Sequence, residues 1–389
     1  MNKTTCCSLT ASLILIGLGG VARSADEPLR DALTVQKART VKLANEGKKS
    51  TYSADKFDLS GLPAYRPEEK ISGTIRVWGN SYIVAGTLGD LWIEDFKRFH
   101  PAATLDLSGL KNPLVAVPAL VTGLADIVAC RPFHFLDWMA CERIFNHDPL
   151  QIAMATGAFD VPGWQTTMAI LVHKDNPITS LTVKQLDGIF GGPRDGAMVR
   201  TTWHPELQRP ASDNIRTWGQ AGLTGKWRDQ PVNAYVVQIL DNTVPEYLLF
   251  EGSPKWNENV REYANYARAD GSFAIAAGQL VEDLAKDPYG IAISTINSVT
   301  PDVKVLAIAP RGGGPAVPLT IESVQNRSYP LAMSTSFFVN RPPGQPLDPK
   351  VREFLRYVLS REGQTAVARD GKYLPLTREL VELERQQLN

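Results

Sequence analysis

From Gly73 onward the chain alternates short apolar runs with longer amphipathic ones. Thr74-Ile75-Arg76-Val77-Trp78 has the period of two expected of a strand, and it ends at Gly79-Asn80-Ser81. Leu88, Leu91, Trp92, Phe96 and Phe99 then recur at helical spacing until His100-Pro101 stops them. Further strands are predicted over 104–107 and 125–129, and further helices over 115–123 and 136–145. Met168 to His173 is apolar and β-prone. Thr182-Val183-Lys184-Gln185 is a capping box that opens a helix through Phe190, and Gly191-Gly192 closes it. Residues 193–232 are rich in Gly, Pro and Trp and read as loops with short elements. Helices over 243–250 and 273–285, and strands over 290–293, 304–308 and 331–340, complete the middle of the chain. Asp348-Pro349 supplies an N-cap and a first-turn proline for a last helix with Val351, Phe354, Leu355, Val358 and Leu359 on one face.

Strands alternating with helices predict an α/β fold with largely parallel sheets covered on both faces. The β runs at Met168–His173 and 331–340 divide the chain into an early block, a middle block and a C-terminal return. A chain crossing twice between two lobes produces that order.

Composition narrows the function. The 389 residues are 43% hydrophobic with a formal net charge of zero, so no global field draws the chain to nucleic acid or an anionic membrane. Lys3, the apolar run from Leu9 to Ala22 and Ala22-Arg23-Ser24 read as a secretory signal over residues 1–24. Cys6 and Cys7 precede the apolar run, where a lipidated cysteine would follow it. The rest lacks an apolar stretch long enough for a membrane helix, which predicts a soluble periplasmic protein without membrane insertion. Residues 25–70 read as a polar extension that packs on one lobe. Cys130 and Cys141 remain after signal removal, either as a disulfide or as two buried thiols.

Several stretches, in order, resemble the phosphate-binding-protein-like family of periplasmic solute-binding proteins that serve ABC importers. They are Ser72-Gly73-Thr74-Ile75 leading to Gly79-Asn80-Ser81, Gly123-Leu124-Ala125-Asp126-Ile127 with Arg131, and Val172-His173-Lys174-Asp175-Asn176-Pro177-Ile178 through Phe190-Gly191. Trp218-Gly219, Tyr289-Gly290-Ile291-Ala292, Tyr329-Pro330-Leu331 and Ser360-Arg361-Glu362-Gly363-Gln364 continue the series to about residue 376. The resemblance implies a two-lobed type II binding-protein fold with two crossover strands. Lobe 1 would hold 71–165 and 338–389, and lobe 2 would hold 166–337. It also implies a monomer that carries a small oxyanion such as phosphate in the cleft to an ABC permease, with no cofactor, no metal and no catalysis.

Candidate ligand residues are Asn80, Ser81, Arg131, Asn242 and Thr243. Ser81 either binds the ligand or caps the first helix, and Arg131 either binds it or makes a surface ion pair. Two turns depart from the phosphate pattern. Lys111-Asn112-Pro113-Leu114 places a proline, which has no N–H, where the family has Gly-Ser-Gly. Leu240-Asp241-Asn242-Thr243 lacks the family's arginine and glycine, and Asp241 adds a carboxylate that repels a dianion. An alternative is therefore a clamp-fold sensor or interaction protein that has lost phosphate binding. Trp164, Trp203, Trp218 and Trp227 belong either to the core or to a modified cleft. Ser53-Ala54-Asp55-Lys56 with Ser212-Asp213-Asn214 matches two hydrolase motifs without the third. Cys130, His134, Cys141 and His147 have zinc-ligand chemistry at unusual spacing.

Overall fold

A computed structural model describes residues 47–79, 83, 86–107, 115–130, 132–161, 164, 167–237, 243–267 and 273–389. The signal segment 1–24, the first part of the extension, Asn80, Ser81, Arg131, Asn242 and the turn at Lys111–Leu114 lie outside the described residues, as does Leu240–Asn242 of the second departing turn.

Two five-stranded sheets organise the molecule. The first is built from β1 (Gly73–Trp78), β2 (Ala103–Asp106), β3 (Ile127–Cys130), β4 (Leu150–Thr156) and β10 (Ser334–Val339), in the order β2-β1-β3-β10-β4. The second uses β5 (Met168–His173), β6 (Asn233–Val237), β7 (Arg261–Tyr263), β8 (Gly290–Thr295) and β9 (Val303–Val305), in the order β7-β6-β8-β5-β9. Each has three parallel strands, then an antiparallel fourth, then a fifth antiparallel to the fourth. The same plan therefore occurs twice, as expected of a two-lobed α/β clamp. The chain passes from the first sheet to the second between Thr156 and Met168, and it is back in the first sheet at Ser334. The expected boundary at residue 338 falls inside β10, all six residues of which pair with β4 in the first sheet.

The patterns in the chain account for these elements. Ile75 and Val77 bury one face of β1, while Arg76 on the other face pairs with Asp126 at 2.8 Å. All six residues of β5 are buried, so its unbroken apolar run reflects cover on both faces. Helix α1 (Leu88–Phe99) buries Leu88, Trp92 and Phe96 along one stripe. That stripe packs edge-on against Phe354 of α8 (Pro349–Val358), with ring centroids 6.0 Å and 5.4 Å away for Trp92 and Phe96. The other helices are α2 (Ala116–Val121), α3 (Phe135–Phe145), α4 (Val183–Phe190), α5 (Thr243–Leu249), α6 (Ala276–Leu284), α7 (Ile321–Gln325), α9 (Arg361–Asp370) and α10 (Arg378–Gln386). The Thr182–Gln185 capping box opens α4, and the Asp348 carboxylate accepts from the Lys350 amide at the start of α8.

The described half of the extension belongs to the first lobe. Tyr52, Phe57, Leu62 and Tyr65 are buried in its core. The Tyr65 hydroxyl lies 2.6 Å from both Glu353 Oε2 and His100 Nε2, and the Arg361 amide donates to the Pro63 carbonyl at 2.8 Å. Cys130 and Cys141 are both buried with no disulfide between them. Burial, with Asp137 and Asp148 adding to it, pushes the Cys141 thiol up to about 12. Trp218 is fully buried, and its ring N–H donates to the Tyr289 carbonyl at 3.0 Å. Trp164 is also buried, whereas Trp203 is exposed on the hairpin formed by Ala197–Val199 and Thr202–His204. Among the described residues no helix is long and apolar enough to cross a membrane.

Candidate functional site

Open α/β sheets bind ligands beyond the carboxyl ends of their parallel strands. Among these are the ends of β1 and β3 in one sheet and β6 in the other, which Asn80, Arg131 and Asn242 follow in sequence. The first end is tightly built. Gly79 has φ +105°, and a Cβ there would lie 2.7 Å from the Ala129 carbonyl oxygen of β3. A side chain is strained at that φ and has no room. Gly79→Ala is therefore expected to shift the end of β1, lower the melting temperature and abolish ligand binding. Thermal unfolding with and without phosphate measures both effects; a variant that melts and binds like the parent would show that this end is not part of the site.

Two contacts bring the lobes together beside these ends. His134 caps α3 through a capping box, in which its ring accepts from the Leu136 amide and its own amide donates to Asp137 Oδ2 at 2.8 Å. The other ring nitrogen, Nε2, lies 3.2 Å from Oε2 of Glu246 in α5 of the second lobe. Glu246 Oε1 accepts from the Trp256 ring N–H at 3.3 Å. Farther along α3, Arg200 of the hairpin donates to Asp148 Oδ2 at 2.9 Å, and its guanidinium lies 4.7 Å from the centroid of the Trp138 ring.

The start of α1 is also specified. The Thr87 amide and hydroxyl both donate to Asp370 Oδ1, each at 2.7 Å. Burial raises the Asp370 carboxyl above the usual range, against the lowering effect of the Thr87 bonds. α1 begins at Leu88, with Thr87 as its N-cap residue and the Asp370 carboxylate on the Thr87 amide, and Ser81 lies outside the described residues. Lys372 stands next to Asp370, fully buried, with its ammonium 5.7 Å from the Trp164 ring centroid.

Of the predicted ligand residues, Thr243 opens α5, and the other four lie outside the described residues. The lobe-to-lobe residues Arg200, Asp148 and Glu246 carried no sequence signal. His134 carried one, though for metal chemistry. His134 instead faces Glu246, and His147 Nδ1 lies 2.9 Å from the Asp148 carbonyl. Ser53 is exposed, its hydroxyl donating to Asp55, and Lys56 lies over the Tyr52 ring rather than beside Ser53.

The phosphate-binding protein PstS of Pseudomonas aeruginosa is 29% identical over 322 residues, which is 82% of this chain and 88% of that protein. Phosphate-binding protein PstS 2 of Streptococcus agalactiae is 27% identical over 126 residues, 32% of this chain and 38% of that one. The crystal structure of PstS from Borrelia burgdorferi aligns with 79% of this chain and 100% of its own at 15% identity and a TM-score of 0.48. The sequence model of the PBP superfamily domain matches residues 146–362, more than half of the chain, and the chain belongs to that family.

Proposed function

We propose that this protein is an extracytoplasmic solute-binding protein that holds a small oxyanion, phosphate first among them, between its lobes for an ABC permease. The observation that carries this reading is the His134–Glu246 contact. His134 follows β3 of one sheet and Glu246 lies in the helix that follows β6 of the other, and Nε2 of the one meets Oε2 of the other at 3.2 Å, so segments beyond parallel strands of both sheets are in contact. Arg131 precedes His134 by three residues and Asn242 precedes Glu246 by four, so the candidate ligand residues flank that contact in sequence. The identity to a named phosphate-binding protein along most of the chain supports the same ligand class. The signal-like first 24 residues support export.

A ligand that binds only the folded protein raises its stability by about 2.7 kcal/mol at a hundredfold excess over Kd. Phosphate is therefore expected to raise the melting temperature in a saturable way, and more than sulfate, molybdate or a phosphonate. One observation favours the rival reading of a sensor or interaction protein: Asp370 already accepts from the amide and hydroxyl of Thr87, the N-cap residue of α1. A flat response to all four anions, with no co-purified ligand by native mass spectrometry, would establish that rival and remove the solute-binding reading.

A further inference from the structure

Residues 50–52 of the extension run along the turn that ends α9. The Ser50 hydroxyl donates to the Arg369 carbonyl at 3.3 Å, and the Thr51 and Tyr52 amides both donate to the Gly371 carbonyl at 3.0 Å. Gly371 has φ +68°, and a Cβ there would lie 2.7 Å from the Tyr52 carbonyl oxygen, so this turn and the extension fit closely. Tyr52 itself is 6% exposed. Its hydroxyl accepts from the Phe159 amide at 2.9 Å and from the Asp160 amide at 3.1 Å. Burial raises the hydroxyl above the usual tyrosine range, against the lowering effect of the two amides, so it stays protonated.

Those two amides stand where the chain crosses between the lobes. β4 ends at Thr156 and β5 begins at Met168. Between them the Gly157 amide donates to the Met333 carbonyl at 2.7 Å, just before β10, and the Thr167 amide donates to the Ala158 carbonyl at 2.8 Å. Ala158 and Thr167 are thus bonded neighbours at the crossing, and Phe159 and Asp160 follow the first of them. Clamps of this architecture open by rotating one lobe about such crossings. Rotation of the second lobe turns Thr167 with β5, and it pulls on Ala158 and the two amides after it. Tyr52 is fixed to the end of α9 in the first lobe and does not follow. Its two bonds therefore belong to the arrangement in which His134 also meets Glu246.

The turn that holds Tyr52 also reaches the segment between β1 and α1. The Asp370 carboxylate takes the Thr87 amide and hydroxyl ahead of α1, and the Gly371 carbonyl takes the extension. The next residue, Lys372, places its ammonium over the ring of Trp164, which lies on the crossing segment. One turn thereby holds the start of α1, the extension and the crossing. We propose that Tyr52 is a positioning residue of the clamp, whose hydroxyl latches the first crossing segment to the first lobe and stabilises the closed arrangement. Bonds made in one arrangement shift the population toward it. Resting on the solute-binding reading, the latch sets how long a ligand stays in the cleft without touching it.

Tyr52→Phe removes the acceptor and keeps the ring. Tyr65→Phe is its matched control: Tyr65 lies on the same extension, is 5% exposed, and its hydroxyl bonds stay within the first lobe, to His100 and Glu353. Both variants are expected to lower the urea midpoint. Tyr52→Phe alone is expected to speed hydrogen exchange of the Phe159 and Asp160 amides at least about tenfold and to enlarge the radius of gyration of the ligand-free protein. It is also expected to raise the phosphate release rate about fivefold at an unchanged association rate, which a loss of stability without a role in closure does not do. Parental exchange or a parental radius in Tyr52→Phe would overturn the latch, as would the same changes in Tyr65→Phe. So would a parental release rate in a protein that binds phosphate. A parent protein that fails to bind phosphate would remove the oxyanion reading alone, and exchange and scattering, which need no ligand, would still decide the latch.

Discussion

Asp187→Asn is expected to lose about 3–5 kcal/mol of stability, the typical cost of removing one partner from a buried ionic network. Asp187 lies in α4 with no solvent exposure and serves three arginines. Arg194 grips it in bidentate fashion, with Nη1 on Oδ1 at 2.8 Å and Nη2 on Oδ2 at 2.7 Å. Arg209 Nε lies 3.1 Å from Oδ1, and Arg311 Nη1 lies 3.0 Å from Oδ2. Among the described residues, the only other carboxylate ion-paired with these arginines is Glu251, with Arg311. An amide at position 187 therefore leaves Arg194 and Arg209, which are 6% and 4% exposed, without a counter-charge. Arg311 is 32% exposed, so water can replace its partner. Arg311→Gln is accordingly expected to cost only about 1 kcal/mol. The network ties α4 to the irregular segment 191–232 and to the loop after β9, so its loss is expected to loosen the second lobe first. Urea unfolding of the two variants measures the difference. A midpoint for Asp187→Asn no lower than that for Arg311→Gln would show that the arginines find other partners.

Residues whose structure is decided by their near neighbours were legible in the sequence. The Met168–His173 strand, the Thr182–Gln185 box and the Asp348-Pro349 helix start stand where the pattern put them, because each depends on burial period or on bonds within four residues. β4 was not legible. Its Leu-Gln-Ile-Ala-Met-Ala-Thr is made mostly of helix formers, and it is a strand because β10, far away in sequence, pairs with it. Residues 273–285 read as one helix, yet Phe273–Ala274 pairs with Tyr266–Ala267 and α6 begins only at Ala276. Here a tertiary hairpin overrides local propensity. The same distinction separates the parts of the candidate site. Gly79 announces a turn by its type, whereas the carboxylate at the start of α1 comes from Asp370, 283 residues along the chain. His134 shows how a correct residue type misleads: an imidazole suits a metal, a helix cap and a hydrogen bond to a carboxylate equally, and while the cap is local to α3, only the approach of α5 supplies Glu246.

Removing the His134 and Arg200 contacts between the lobes, in His134→Asn with Arg200→Ala, is expected to weaken ligand binding about thirtyfold, equivalent to about 2 kcal/mol. Asparagine preserves the cap of α3 but is too short to reach Glu246. The side chains of His134 and Glu246 are only 15% and 9% exposed, so water competes little for their hydrogen bond. Arg200 and Asp148 are 54% and 30% exposed, and their ion pair alone contributes a few tenths of a kcal/mol. The stacking of Arg200 on Trp138 adds about 0.5–1 kcal/mol. These interactions exist only while the lobes touch, so they stabilise the closed clamp and leave each lobe unchanged. Apparent affinity falls in proportion to the fraction of closed molecules. The double variant should therefore unfold at nearly the parental urea midpoint, have a larger radius of gyration in solution scattering, and bind phosphate more weakly mainly through faster release. Each single variant should lose less than the pair, and Arg200→Ala should lose the least. Parental affinity in the double variant would mean that closure is set by the ligand and the strand ends alone, and that these two contacts merely accompany it.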